Sequence, residues 1–139
     1  MEIQTREFRI EDYDPAVELW NRVEGLDMAE GDDRETIRRF LQRNPGLSRI
    51  ATDGPKIVGA VLCGHDGRRG YVYHLAVDPT YRERGIGRRL ISECLAGLKK
   101  VGLERANILV ANDNPRGLEF WDCCGWEHLD GALPLGIDV

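Results

Sequence analysis

The chain has 139 residues, 42% of them apolar and 31% charged, a balance that fits one folded domain and excludes a disordered or membrane-spanning chain. Nineteen Lys and Arg against 24 Asp and Glu leave a formal charge of −5, which excludes general nucleic-acid binding and favours small or cationic partners. No apolar run approaches the roughly 20 residues of a transmembrane helix, and Met1–Arg6 lacks a signal peptide's apolar core, so the expected address is cytoplasmic, with no membrane partner.

Residues 2–9 alternate weakly and read as a first strand. Asp12 or Asp14 can cap a helix that takes Pro15 in its first turn and places Val17, Trp20 and Val23 on one face. Residues 24–35 carry six acids, Glu24, Asp27, Glu30, Asp32, Asp33 and Glu35, against the single base Arg34. A second helix with Ile37, Phe40 and Leu41 inward stops near Asn44-Pro45-Gly46. Three strands follow at 48–52, 56–63 and 71–77. Asp53-Gly54-Pro55 turns between the first two, and the loop 64–70 closes a hairpin between the last two. The third, Tyr-Val-Tyr-His-Leu-Ala-Val, is nearly continuous apolar, as a central strand is. A helix over 86–100 places Ile86, Leu90, Ile91, Cys94, Leu95 and Leu98 at helical spacing and ends at Gly102. Residues 105–111 read as a strand, and a short helix from Asn114-Pro115 ends at Gly125. The tail 126–139 has room for one or two more strands. The order βααβββαβαβ predicts a mixed α/β sheet.

The four cysteines, Cys63, Cys94, Cys123 and Cys124, form no C-x-x-C pair and are expected as reduced packing residues. No two of the three histidines have zinc-ligand spacing with a cysteine pair, so no metal site is expected.

The informative segment is Val77-Asp78-Pro79-Thr80-Tyr81-Arg82-Glu83-Arg84-Gly85-Ile86-Gly87-Arg88-Arg89-Leu90. A strand ends, a loop turns, and a helix starts at two glycines. The first N–H groups of a helix have no internal partner and carry the positive end of its dipole. Gly85 and Gly87 let an anion approach the backbone, and four arginines surround them. The segment fits a phosphate or pyrophosphate site, or a plain glycine turn with a solvated basic helix start. It is no Walker loop, since no Gly-Lys-Ser/Thr follows. It is no dinucleotide fingerprint either, since Leu90 stands at the third glycine.

Arg82-x-x-Gly85-x-Gly87, preceded by Leu75-Ala76-Val77-Asp78-Pro79, resembles the acetyl-CoA pyrophosphate loop of the GNAT superfamily of N-acetyltransferases. Asn114-x-x-Gly117-x-x-Phe120-Trp121-x-x-x-Gly125-Trp126 resembles a second segment of that family, Asn-x-x-Ala-x-x-Phe-Tyr-x-x-x-Gly-Phe. The resemblance covers roughly residues 3–135. It implies the GNAT fold, a splayed, mostly antiparallel mixed sheet flanked by about four helices. Acetyl-CoA, the co-substrate, is then expected between the strands at 71–77 and 105–111. The backbone around Leu75, Ala76 and Val77 would take the pantetheine arm and acetyl carbonyl. The segment Arg82, Glu83, Arg84, Gly85, Ile86, Gly87 and Arg88 would take the pyrophosphate, with Asn114 on the other side. Dimers are common in the family, and nothing in the sequence marks an interface.

The implied reaction is acetyl transfer to a primary amine, of a small cationic molecule or of a protein, by direct attack in a ternary complex. The alternative is a catalytically silent acetyl-CoA-binding module. It is motivated by Trp121, which stands where the family usually has its tyrosine acid. Trp121 is expected to pack against the cofactor instead. The glutamate base of family members that act on ribosomal-protein N-termini falls at Leu109. Alternation puts Tyr71, Tyr73, Leu75 and Val77 on one face of their strand. Tyr71 and Tyr73 are candidates for ordering a proton-relay water, with aromatic packing as the alternative. His74 points to the other face of an ideal strand, as a satisfied core residue, unless a bulge intervenes. His65 is a candidate base and Asp66 a candidate cation ligand in the hairpin loop, unless the loop is simply a tight turn with solvated charges. The acids of 24–35 either border the acceptor pocket or coat a solvated connection.

Overall fold

The computed structural model describes residues 2–23 and 26–139, which form two compact units, one reaching to Leu109 and the other spanning Val110–Val139. Glu24 of the acidic stretch lies outside the described residues.

The first unit holds strands β1 (Ile3–Glu7), β2 (Arg49–Asp53), β3 (Lys56–His65), β4 (Gly70–Val77) and β5 (Ala106–Ile108), and helices α1 (Tyr13–Arg22), α2 (Arg34–Arg43) and α3 (Ile86–Lys100). The sheet runs β1-β2-β3-β4-β5. Its first four strands pair antiparallel, and β5 lies parallel to β4. The mixed, mostly antiparallel GNAT-like sheet expected from the sequence is the one observed.

The two faces are distinguished by β3. Ala60 and Leu62 join Leu19 and Trp20 of α1 and Ile37 of α2 in one buried cluster with Phe8, Ile50 and Ala76. Gly59 faces the opposite way, where a Cβ would meet Leu90 and Ile86 of α3 at 3.1 and 3.2 Å. At Gly70 a Cβ would come within 2.4 Å of Leu98, so β4 also depends on a missing side chain to seat α3. Helix α3 buries Ile86, Leu90, Ile91, Cys94 and Leu98, whereas Leu95, expected inward, is exposed. Gly102, at φ 93°, ends the helix as predicted, donating its N–H to Lys99 while Leu103 bonds back to Leu98. The Cys63 and Cys94 thiols are buried and free, and the hydrogen bond between them together with burial drives the Cys94 thiol far up from its ordinary range.

Asp12 sits at the start of α1 but does not cap it. Its carboxylate takes both Arg6 guanidinium nitrogens, at 2.7 and 2.9 Å, and the Arg9 N–H at 2.9 Å. Asp33 caps α2 instead, accepting the Thr36 N–H.

The strand expected over 105–111 shortens to Ala106–Ile108, because only Gly70–Val72 of β4 stay within reach of it. The second unit holds helix α4 (Pro115–Cys123), capped by Asn114 through Gly117 N–H and ended by Gly125 at φ 86°. The tail strands do not form. Residues 124–139 carry neither helix nor strand, and Leu133, Leu135 and Ile137 alternate in sequence yet stand exposed. Alternation alone makes no strand without an edge to pair with. Among the described residues, no helix is long and apolar enough to cross a membrane.

Candidate active site

Strand β4 is the centre of the site, and it is not regular. Ala60 pairs with Ala76 and Leu62 with Tyr73, so three steps along β4 oppose two along β3. The extra residue is a bulge, and His74 takes it up at φ 51°, a left-handed value uncommon outside glycine. The face expected from simple alternation therefore breaks at this point. His74, expected opposite Tyr71 and Tyr73, lies on their side, with its ring 5.0 Å from that of Trp20 in α1. Beyond the bulge Ala76, rather than Leu75 or Val77, faces the α1 and α2 cluster.

Two further contacts hold the bulge. The Trp20 indole N–H donates to the His74 carbonyl at 2.9 Å. His74 Nε2 lies 3.0 Å from Asp32 Oδ1, in the loop between α1 and α2. Asp32 is itself fixed: Oδ2 accepts the Ala29 N–H, and its carbonyl accepts the Tyr13 hydroxyl. Local sequence does not reveal this pair, since the partners stand 42 positions apart and His74 reaches Asp32 only through the bulge.

Tyr71 and Tyr73 do come together, stacked with centroids 6.1 Å apart, and Phe40 of α2 meets Tyr73 edge-on at the same separation. Tyr73 is 38% exposed, so this aromatic surface is open on one side. Burial, then the neighbouring Tyr71, pushes the Tyr73 hydroxyl upward, so it stays protonated at neutral pH. His65 is not brought to them. It pairs with Gly70, whose missing side chain faces α3, and Gly64 beside it faces Phe40 and Asn44. Its Nδ1 accepts the Gly67 N–H inside its own turn. Asp66 is likewise used locally. The Arg69 and Arg68 N–H groups bond its carboxylate and hold its pKa down to about 2. Among the remaining acids of the expected stretch, Asp33 serves as the cap of α2 and Glu35 pairs with Arg38.

Past Val72 the β5 ladder ends, so β4 from Tyr73 to Val77, including Leu75 and Ala76, presents an edge without a β5 partner. That edge leads through Asp78 and the turn Pro79–Tyr81 to the start of α3. Asp78 is almost fully buried. Burial alone would raise its pKa, but the Thr80 N–H and hydroxyl, Lys56 and Arg22 outweigh it and hold the carboxyl low. Its anchoring fixes where the loop leaves the sheet.

The loop makes left-handed turns at Glu83 (φ 64°) and Gly85 (φ 77°). Gly85 is the N-cap and offers no side-chain acceptor; the first helical bond runs from Arg89 N–H to Gly85 O. The N–H groups of Ile86 and Gly87, in the first turn, have no acceptor within the helix. No acid stands in that turn, and space around a Gly85 Cβ is empty to 4 Å. Arg84 lies over the Tyr81 ring at 5.2 Å. Arg89 turns away to the Ile3 carbonyl and Glu93, so it does not add its charge to the loop. Open backbone donors at a helix start and an unpaired strand edge fit a ligand with an anionic end and an amide-bearing arm.

In the second unit, the Asn114 side chain is occupied in capping α4. Trp121 is buried, edge-on to Phe120 and Trp126 with centroids 5.1 and 4.9 Å away.

The model of the acetyltransferase (GNAT) family matches residues 6–126. An acetyltransferase of Sodalis glossinidius (strain morsitans) is 34% identical over 134 residues, which cover 96% of this chain and 94% of that protein. Among solved structures, the PaiA N-acetyltransferase from Thermoplasma acidophilum in complex with coenzyme A superposes with a TM-score of 0.80 at 20% identity, over 95% of this chain and 94% of that one. Ard1 from Thermoplasma volcanium gives 0.78 at 17% identity, over 90% and 82%. At those identities the two structures speak for the fold alone, and the family rests on the sequence matches. The chain belongs to the GNAT family of acetyltransferases, and its chemistry is acyl transfer from acetyl-CoA.

Proposed function

We propose that the chain acetylates a primary amine by direct attack in a ternary complex, with the acceptor entering on the α1 and α2 face of β4. One observation carries this reading: the β5 ladder stops at Val72, where the open aromatic surface of Tyr71 and Tyr73 meets the unpaired edge. On this reading acetyl-CoA supplies an activated acyl thioester. The backbone of Leu75, Ala76 and Val77 binds its pantetheine arm, and the N–H groups of the segment from Arg82 to Arg88 hold its pyrophosphate. The aromatic faces of Tyr71, Tyr73 and Phe40 suit the approach of an alkyl ammonium, through apolar contact and cation–π attraction.

The acceptor's proton sets the chemical problem. An alkyl ammonium of pKa about 10.4 must lose a proton before its nitrogen can attack, which costs roughly 4.6 kcal/mol at pH 7. The hydroxyls of Tyr71 and Tyr73 would order water beside the nitrogen and relay that proton. Leu109, where some relatives place a glutamate, is 74% exposed and offers no base.

The test is release of CoA thiol from acetyl-CoA over a panel of polyamines, amino acids, aminoglycosides and short peptides. Release that depends on one amine class, with an N-acetyl product of the matching mass, supports the reading. No amine-dependent release across the panel contradicts it.

A further inference from the structure

We propose that His74, oriented by Asp32, is the base that takes the proton from the incoming amine. The proposal rests on the amine-transfer reading above and names its proton acceptor.

The geometry is that of an oriented imidazole. Asp32 Oδ1 lies 3.0 Å from Nε2, which sets a carboxylate beside the ring that would take the proton. Asp32 would also stabilise the imidazolium that forms. The carboxylate is held by Ala29 N–H and its backbone by the Tyr13 hydroxyl. The imidazole lies against Trp20, which also grips the His74 carbonyl. Side-chain exposures of 18% for His74 and 14% for Asp32 leave a narrow route to solvent, which the base needs to discard its proton.

The backbone supports the same assignment. A left-handed backbone at a residue other than glycine is strained. Here that strain has a definite effect: it moves the imidazole from the α3 face onto the face shared by Tyr71 and Tyr73, at the point where the open edge begins. Asp32 comes from the loop. Tyr13 of α1 is held protonated by burial and by Asp33, Asp32 and Asp14, and Tyr73 of β4 is held protonated as well. Val61, across the bulge on β3, is apolar.

The step balances without any further reagent. One ammonium proton passes to the His74 imidazole, directly or through one water. The amine nitrogen forms the new C–N bond as the thioester C–S bond breaks. The second proton leaves with the sulfur as CoA thiol, and the imidazolium returns its proton to solvent.

The experiment compares the full-length protein with His74→Asn and Asp32→Asn, using the amine that gives most turnover in the panel. Asparagine tolerates the left-handed backbone, so His74→Asn removes the base without adding strain at the bulge. Acetyl-CoA affinity by calorimetry serves as the folding control, and kcat is followed from about pH 6 to pH 10. The wild type should show an acid limb from a single ionisation. His74→Asn should lose kcat about 100-fold near pH 7, within the range of a general base, with the deficit narrowing at high pH as the amine deprotonates unaided. Asp32→Asn should lower kcat about tenfold near pH 7 with the KM for the amine unchanged, because the ring loses the carboxylate beside it. Unchanged kcat and acid limb in a His74→Asn protein that binds acetyl-CoA would overturn the proposal. If His74→Asn fails to bind acetyl-CoA, an unchanged kcat in Asp32→Asn would overturn it instead. Absence of turnover in the wild type with every amine would overturn the amine reading itself, a different result from normal turnover in the variants.

Discussion

The indole N–H of Trp20 and the carbonyl of His74 are 2.9 Å apart, joining α1 to the bulged residue of the central strand. This bond satisfies a carbonyl that the bulge takes out of the ladder, and the same indole packs on the His74 ring. Trp20→Phe keeps most of the ring and removes the donor. We expect a loss of about 0.5–1.5 kcal/mol, the net contribution of one part-buried hydrogen bond. Urea denaturation of the two proteins measures it, and a midpoint equal to the wild type would show that the bond does not hold the bulge.

The start of α3 gives a sharper test of the cofactor loop. Aspartate tolerates the left-handed backbone at Gly85, and a carboxylate at a helix N-terminus favours the helix. It would also place a negative charge among the donors proposed for the pyrophosphate. Gly85→Asp should therefore melt at or near the wild-type temperature while acetyl-CoA affinity falls at least about tenfold, a shift of about 1.4 kcal/mol. Calorimetric titration distinguishes the two effects, and full affinity in the folded variant would remove the pyrophosphate from this loop.

The helix that carries this loop could be read from the sequence because its signals are local. Apolar spacing marked residues 86–100, and Gly85 and Gly102 marked its ends. The strands at 56–63 and 71–77 were equally legible from short apolar runs between turn residues. The side of the sheet on which His74 falls was not, because it depends on the register between β3 and β4 rather than on either strand alone. Simple alternation sent His74 to the wrong face and hid its pairing with Asp32. The same limit explains the short β5 and the unformed tail strands, since pairing needs an edge that sequence alternation does not disclose. His65 and Asp66 look chemically capable in sequence, and in the structure His65 Nδ1 and Asp66 Oδ1 accept the hairpin's own N–H groups.

Acid should weaken the fold through Asp12 and Asp78. Both carboxyls are held below their ordinary range: at Asp12 the bonds from Arg6 and Arg9 N–H, and at Asp78 those from Thr80 with the nearby cations, outweigh a burial penalty that acts the other way. A depressed folded-state pKa means that the unfolded chain binds more protons near pH 4. The stability these groups add is therefore present above the unfolded value of about 3.9 and is lost as pH falls through the folded values. The urea midpoint should drop steeply below about pH 4, and Asp12→Asn, less stable at pH 7, should drop less. Parallel pH profiles for the two proteins would contradict this assignment.

Tyr73 tests the acceptor face separately from the base. Tyr73→Phe preserves the contacts with Tyr71 and Phe40 and deletes only the hydroxyl. If that hydroxyl orders the relay water, kcat should fall about tenfold, less than the hundredfold or more of a direct base, with acetyl-CoA affinity unchanged. Unaltered kcat would reduce Tyr73 to packing.

The central claim is amine acetylation at the place where β4 parts from β5. Its most direct measurement is CoA thiol release from acetyl-CoA by the wild-type protein, with and without each amine of the panel. The account predicts release that appears only with an amine of one class, matched one-to-one by N-acetylated product. Saturable acetyl-CoA binding with no amine-dependent release would contradict it.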